Sequence, residues 1–195
     1  ATPTPILYSL KEFKNIEKIE IKWQGLKKIN FVRDVVTKDD GYCVADKLIL
    51  LSRQHLDGKI NSNAYFFVNS VSIINLVVKA LVKQGLVTPN EVNLIVAKGN
   101  SARLKVNLGK SFAIGEPPTS SNTAKKLNFI TSTAFEGSDF YDENGKIYII
   151  SDGTNSHTKI DILTQLHQIS GRIRDSKLND SIQIITVPNF ILDFE

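Results

Sequence analysis

Tyr65-Phe-Phe-Val68 is apolar at every position and is followed at once by Asn69 and Ser70. A strand with no polar face must be covered on both sides. That is the situation of a central strand in a parallel sheet, not of a half-exposed antiparallel one. The next stretch, to about Lys83, is apolar nearly all round and predicts a largely buried helix. Ser70 or Ser72 can cap its start, and Gly85 is placed to end it. The alternation continues along the chain. Val92 to Ala97, Leu127 to Ser132, Lys146 to Ser151 and Ser181 to Val187 read as strands. Val44 to Leu56 reads as a helix, with Leu48, Leu51, Ser52 and His55 at helical spacing, and Thr158 to about Ser170 reads as another. Ile16 to Trp23 alternates as a half-exposed strand would, and Gly99 to Thr123 reads as loops around one short strand. Strands alternating with helices predict an α/β fold, a parallel sheet with helices on both faces. Ligands of such sheets bind beyond the carboxyl ends of the strands.

Bulk composition sets limits. A chain of 195 residues, 42% hydrophobic and 23% charged, suits one globular domain with one good core. The longest apolar stretch, Val68 to Val87, is interrupted by Asn69, Asn75, Lys79, Lys83 and Gln84, so no membrane span is expected. The N-terminus lacks the basic-then-apolar pattern of a signal peptide. A single cysteine, Cys43, excludes an internal disulfide and suits a reducing cytoplasm. It is expected to be a small buried hydrophobe. The net charge of +4 permits contact with polyanions without demanding it. Methionine is absent, which suggests a piece of a longer protein; initiator removal would leave the same absence.

Two segments carry residues suited to phosphate chemistry. In Thr131-Ser-Thr-Ala-Phe-Glu-Gly137-Ser-Asp139, an apolar strand ends in hydroxyls and runs into a Gly-x-Asp loop. Hydroxyls and free backbone N–H groups at a strand end suit phosphates. The bland alternative is a surface turn whose Asp139 serves local amides. In Gln168-Ile-Ser-Gly171-Arg172-Ile-Arg174, a continuing helix would put Gln168 and Arg172 on one face, and Gly171 would permit close approach of a ligand. Guanidinium forks grip phosphate oxygens bidentately and stay charged at any working pH. Here the bland alternative is an exposed basic helix end.

In this order, with a strand between them, the two segments resemble the last two signature motifs of superfamily 2 (DEAD/DEAH-like) helicases, in the second RecA-like domain. Ala1-Thr2-Pro3 resembles the end of the Ser-Ala-Thr-Pro motif that closes the first domain, and Tyr65 to Ser70 resembles the motif that opens the second. Gln168, Gly171 and Arg172 fit the pattern Gln-x-x-Gly-Arg-x-x-Arg. Arg174 arrives one residue early, a spacing similar to that of herpesvirus-type origin-binding helicases.

The resemblance implies a three-layer RecA-like (P-loop NTPase-like) fold over residues 1–195, with 1–15 an entry segment from the interdomain linker and the first, ATP-binding domain absent. It implies that Arg172, Arg174 and Gln168 serve catalysis, with one of the two arginines as the finger. Gly137, Asp139 and Gly171 would meet the nucleotide, and Thr131, Ser132, Asn69 and Ser70 the nucleic-acid backbone. The cofactor implied is ATP with magnesium, held mainly by the missing domain; no metal site is expected in this chain. The partners implied are nucleic acid, DNA before RNA, and an N-terminal RecA-like domain of the same parent, in the cytoplasm and away from membranes. A second reading is a degenerate RecA-like domain that binds nucleic acid or protein without ATP turnover. A third is an unrelated doubly wound enzyme using Asp139 and Asp152.

Other features carry less. Gly109-Lys110-Ser111 imitates the end of a phosphate-binding loop, but Leu104 stands where its first glycine belongs. His55, His157 and His167 show no metal spacing with Cys43 or one another. Asp39-Asp40 and Asp142-Glu143 read as turn carboxylates, and Asp142 to Gly145 as a hairpin-type turn. Ser52, Lys98 and Asn100 read as solvated loop or surface positions. Tyr8 and Trp23 are aromatic enough to stack on bases, with core packing the expectation for Trp23.

Overall fold

The computed structural model describes residues 29–36, 43–135, 137–153, 158–161 and 165–187. The entry segment 1–15 with Ala1-Thr2-Pro3 and Tyr8, the expected strand Ile16 to Trp23, Asp39-Asp40 and His157 lie outside these residues. The elements in chain order are β1 (Asn30–Val35), α1 (Val44–Leu56), β2 (Asn63–Val68), α2 (Val71–Lys83), β3 (Val92–Ile95), α3 (Ser101–Leu108), β4 (Leu127–Ile130), β5 (Phe140–Tyr141), β6 (Gly145–Asp152), α4 (Gln165–Ser170), β7 (Ile173–Arg174) and β8 (Ser181–Val187).

Six strands form one sheet in the order β1-β8-β6-β2-β4-β3, and every pairing in it is parallel. β2 sits inside it, between β6 and β4, as its wholly apolar sequence requires. Alternate residues of β2 feed two separate cores. Ala64, Phe66 and Val68 join α1, α2 and α3 on one face. Tyr65 and Phe67 join Phe135, Phe140, Ile147, Ile149, Ile169 and Ile173 on the other. Register aligns Phe66 with both Phe129 of β4 and Tyr148 of β6, and each of those rings lies 5.1 Å from it. That row of aromatic rings ties three strands together beneath the helices.

The helices begin and end for local reasons. The Ser70 hydroxyl accepts a hydrogen bond from the Ile73 N–H and starts α2. Gly85, at φ 67°, follows its last turn. At α1 the Asp46 carboxylate accepts from the Cys43 backbone N–H and from its Sγ, at 3.2 and 3.0 Å. Cys43 is therefore an exposed helix-cap residue and not the buried hydrophobe expected.

Three further expectations are corrected. Gly99 to Thr123 contains a helix, α3, and no strand among its described residues. Only Leu104 and Leu108 of α3 are buried, too sparse an apolar stripe to stand out in the sequence. The expected helix from Thr158 is, among the described residues, only α4 from Gln165. Thr158 instead donates its hydroxyl to the Asp152 carbonyl at 2.6 Å, and the Ile160 N–H goes to the Ser151 hydroxyl. These residues spend their polar groups on the end of β6. Finally, Asp142 to Gly145 turns the chain, with Gly145 N–H bonded to the Asp142 carbonyl, but builds no hairpin. β5 pairs in parallel with β7, and β6 enters the main sheet.

Candidate functional site

The connection from β4 to β6 has to cross β2. It does so on the α4 side, where Phe135 and Phe140 pack their rings 5.7 and 5.9 Å from Phe67. Between those two anchors the chain turns at Gly137, whose φ of 72° is a conformation that L side chains rarely adopt. Asp139 follows, immediately before β5.

α4 ends at Ser170. The Gly171 and Arg172 N–H groups close a turn onto the Gln168 and Ile169 carbonyls, and the chain then extends as β7. Gln168 and Arg172 therefore do not share a helix face, contrary to the sequence expectation: Gln168 is buried in α4, while Arg172 begins the ribbon. In that ribbon Phe140 aligns with Ile173 and Tyr141 with Arg174. The Phe140 N–H donates to the Arg172 carbonyl at 2.9 Å.

This pairing brings the two sequence motifs together. Asp139 Oδ1 lies 3.0 Å from Arg174 Nη2 and 3.6 Å from Arg172 Nη1. Neither contact has hydrogen-bond geometry, and Arg172 Nε is buried with no hydrogen-bond partner among the described residues. The Arg172 side chain is 12% exposed and that of Arg174 49%. The cluster thus holds two guanidiniums against one carboxylate, a net positive charge at the surface with an unused buried donor. Such a cluster suits an anion with several oxygens. Gly171 is not demanded by space, since the nearest atom to a methyl group built there is the Gln168 carbonyl oxygen, 3.9 Å away.

A second group of motif residues gathers at the carboxyl edge of the sheet. Asn69 leaves β2 and Ser132 follows β4, its neighbour. The Asn69 side-chain carbonyl accepts the Ser132 N–H at 3.2 Å. Thr131 is buried, its N–H bonded to the Ile95 carbonyl and its hydroxyl donated to that of Thr133. Ser70 is committed to capping α2, while Ser132 is exposed. Beside them Arg103 of α3 donates to the Ser72 hydroxyl at 2.9 Å.

Several residues take roles that the sequence pattern did not give them. Asp142 is a buried hub rather than a surface turn carboxylate. It accepts from Asn63 Nδ2, the Tyr65 hydroxyl and the Asn144 N–H at 2.8–2.9 Å. Burial first, then the charge of Asp142, pushes the Tyr65 phenol well above its ordinary pKa. The only cue in the sequence was the Asp-x-Asn-Gly turn itself. His55 is fully buried. Its Nδ1 faces the Ser62 carbonyl, an acceptor only, so that nitrogen carries the proton and Nε2 accepts from the Tyr148 hydroxyl, both at 2.8 Å. Burial drives its pKa down to about 4; the bond to Ser62 opposes the shift, and Lys126 and Lys146 add to it. A cavity of about 410 Å³ opens between β1, β8, β6 and α4, lined by Phe31, Ile149, Ile160, Leu166 and Ile184, with Arg33, Ser151 and Thr186 also on its wall. None of the arginines or hydroxyls expected to contact ligand lines it.

Gly109 ends α3 with φ 107°, so Gly109-Lys110-Ser111 leaves a helix instead of entering one, which agrees with rejecting it as a phosphate loop. Among the described residues no three His, Cys, Asp or Glu side chains gather as a metal site, and no helix is long and apolar enough to cross a membrane. No family model matches the chain, and no curated protein matches it in sequence.

Proposed function

We propose that this chain is the second RecA-like domain of a superfamily 2 helicase or translocase, and that Arg172 and Arg174 act on the phosphates of a nucleotide. The observation that carries this reading is the meeting of Asp139 with both arginines. Two motifs picked out for their resemblance to the two ends of one ATP-sensing surface lie against each other through a ribbon too short to be expected from pattern. The sheet order is compatible with a RecA-like domain, and the hydroxyl-bearing segments leave its strands at their carboxyl ends.

The residues present fit a phosphate chain, because the cluster has more positive than negative charge and a buried donor to spare. Bound there, a nucleoside triphosphate supplies the phosphoryl group that is transferred to water. Arg172, held by the ribbon and mostly buried, is the better placed to keep one orientation while charge develops on that group. Its neighbour Arg174, half-exposed, follows the nucleotide as the domains close. Electrostatic stabilisation of this kind is worth ~10³–10⁵ in rate where an arginine finger is used. Magnesium and the phosphate loop belong to the first domain. Asn69, Ser132 and the N-terminus of α2 present polar groups to a nucleic-acid backbone, so binding is expected to be salt-dependent and largely indifferent to sequence. DNA is preferred over RNA on the short arginine spacing alone.

The test is ATP hydrolysis by the full-length polypeptide, with and without single-stranded nucleic acid. Stimulated turnover that Arg172→Ala removes, and that this chain by itself lacks, is the expected result. Absence of turnover with every nucleic acid tried would reject the motor in favour of a binding module.

A further inference from the structure

We infer that Asp139 is an internal competitor for the phosphoanion site, a carboxylate that stands between Arg172 and Arg174 and has to yield them when a ligand arrives. The inference rests on the reading of these arginines as phosphate ligands and adds a regulatory contact to it.

One oxygen, Asp139 Oδ1, serves both guanidiniums, at 3.0 and 3.6 Å. Without it, two like charges would stand two residues apart along one edge of the ribbon with no counter-charge between them. With it they are held by charge alone, because neither contact is aligned as a hydrogen bond. A fork-to-carboxylate pair at its best makes two parallel N–H···O bonds, and this arrangement makes none. The Arg174 contact, half-exposed on the arginine side, belongs to a class of ion pairs that is weak. A phosphate group brings more oxygens and more charge, can reach both forks at once, and can take up the idle Arg172 Nε–H. The polypeptide around the carboxylate leaves room for the exchange: Asp139 follows the Gly137 turn, and its side chain is 37% exposed. Arg172, by contrast, is mostly buried, and its carbonyl is held by the Phe140 N–H at the start of the ribbon. The movable partner is therefore the acid. The device keeps two arginines parked in the empty state and sets a threshold that a lone weak anion does not cross.

The experiment titrates this chain with inorganic tripolyphosphate, and separately with a single-stranded DNA oligonucleotide, by calorimetry at low ionic strength. Asp139→Asn keeps the shape and removes the charge. It is expected to bind about fivefold tighter than wild type, the upper end of what an exposed ion pair contributes. Arg172→Ala should bind weakly or not at all. Tightening with tripolyphosphate assigns the displaced contact to a nucleotide, and tightening with the oligonucleotide assigns it to a nucleic-acid backbone. Unchanged or weaker binding of both by a folded Asp139→Asn would overturn the inference. A second readout needs no variant. The Arg172 Nε–H resonance of wild type should shift on adding tripolyphosphate, and an unmoved resonance at saturation would also overturn it. The motor reading fails independently: a competitor demonstrated in this chain stands even if the full-length polypeptide never hydrolyses ATP.

Discussion

Asp139 Oδ1 approaches Arg174 Nη2 to 3.0 Å, although the two residues belong to different connections of the main sheet. β5 and β7, two residues each, hold those connections in register, with the Lys177 N–H bonded to the Glu143 carbonyl just beyond them. The candidate chemistry therefore depends on a ribbon with little stability of its own, borrowed from the core beneath it through Phe140 and Ile173.

Phe140→Ala should disturb the site without touching any charged group. It removes a ring packed at 5.9 Å against both Tyr65 and Phe67 and is expected to cost roughly 3–5 kcal/mol. Denaturant midpoints measure that cost. In the full-length polypeptide, the loss of hydrolysis should exceed what the fraction unfolded explains, because the register between Asp139 and the arginines is lost as well.

Two glycines separate backbone need from ligand need. Gly137→Ala should destabilise the chain by ~1 kcal/mol through its positive φ. Gly171→Ala should leave stability nearly unchanged, since its nearest neighbour would be at ordinary contact distance. If Gly171→Ala nevertheless abolishes ATP turnover with stability intact, close approach of a ligand is the remaining cause. Equal melting temperatures for wild type and Gly137→Ala would refute the strain argument.

Asp142→Ala should be among the most damaging polar substitutions. It leaves the Tyr65 hydroxyl and Asn63 amide without their buried acceptor, at a cost of about 2–4 kcal/mol. Tyr65→Phe, which removes only one donor, should cost less. A chemical denaturation series on both variants checks the order, and the reverse order would show that Asp142 is not the hub.

His55 makes stability fall in mild acid. Its folded pKa of about 4 lies below the unfolded value of 6.5, so the unfolded chain binds the proton more readily. The stabilisation is complete above pH 6.5, is lost as pH falls through 4, and amounts to at most about 3 kcal/mol. Asp46, whose carboxyl is held low chiefly by the Cys43 side chain and then by its N–H, loses its contribution below the ordinary carboxylate value of 3.8 and so outside this window. Urea midpoints between pH 7 and 4.5 should slope downward in wild type and much less in His55→Gln. Parallel slopes would mean that another group carries the effect.

Thr131 and Ser132 were both expected to touch nucleic acid; Thr131 is buried, while Ser132 beside it is exposed and braced by Asn69. Sequence pattern marks the end of a strand well but not which of two adjacent hydroxyls faces outward. Similarly, Gln168 to Arg174 was legible as one motif, but its helical continuation was not kept. After Ser170 the chain gains more by pairing Ile173 against Phe140 than by another helical turn, and a partner distant in sequence leaves no local trace. His55 illustrates the same limit. Its place on the inner face of α1 was readable from spacing, but its partner Tyr148 was not.

The chain by itself determined the class of fold, because a strand apolar on both faces, as β2 is, can be satisfied only inside a parallel sheet covered on both sides, and α1 and α2 followed from their helical spacing. Local chemistry also determined that the hydroxyl-rich segments leave the strands at their carboxyl ends. Only the tertiary structure decided that Asp139 meets Arg172 and Arg174 and that Asp142 is buried. Those outcomes depend on contacts between residues far apart along the chain, where a two-residue pairing or one shared carboxylate outweighs any local preference.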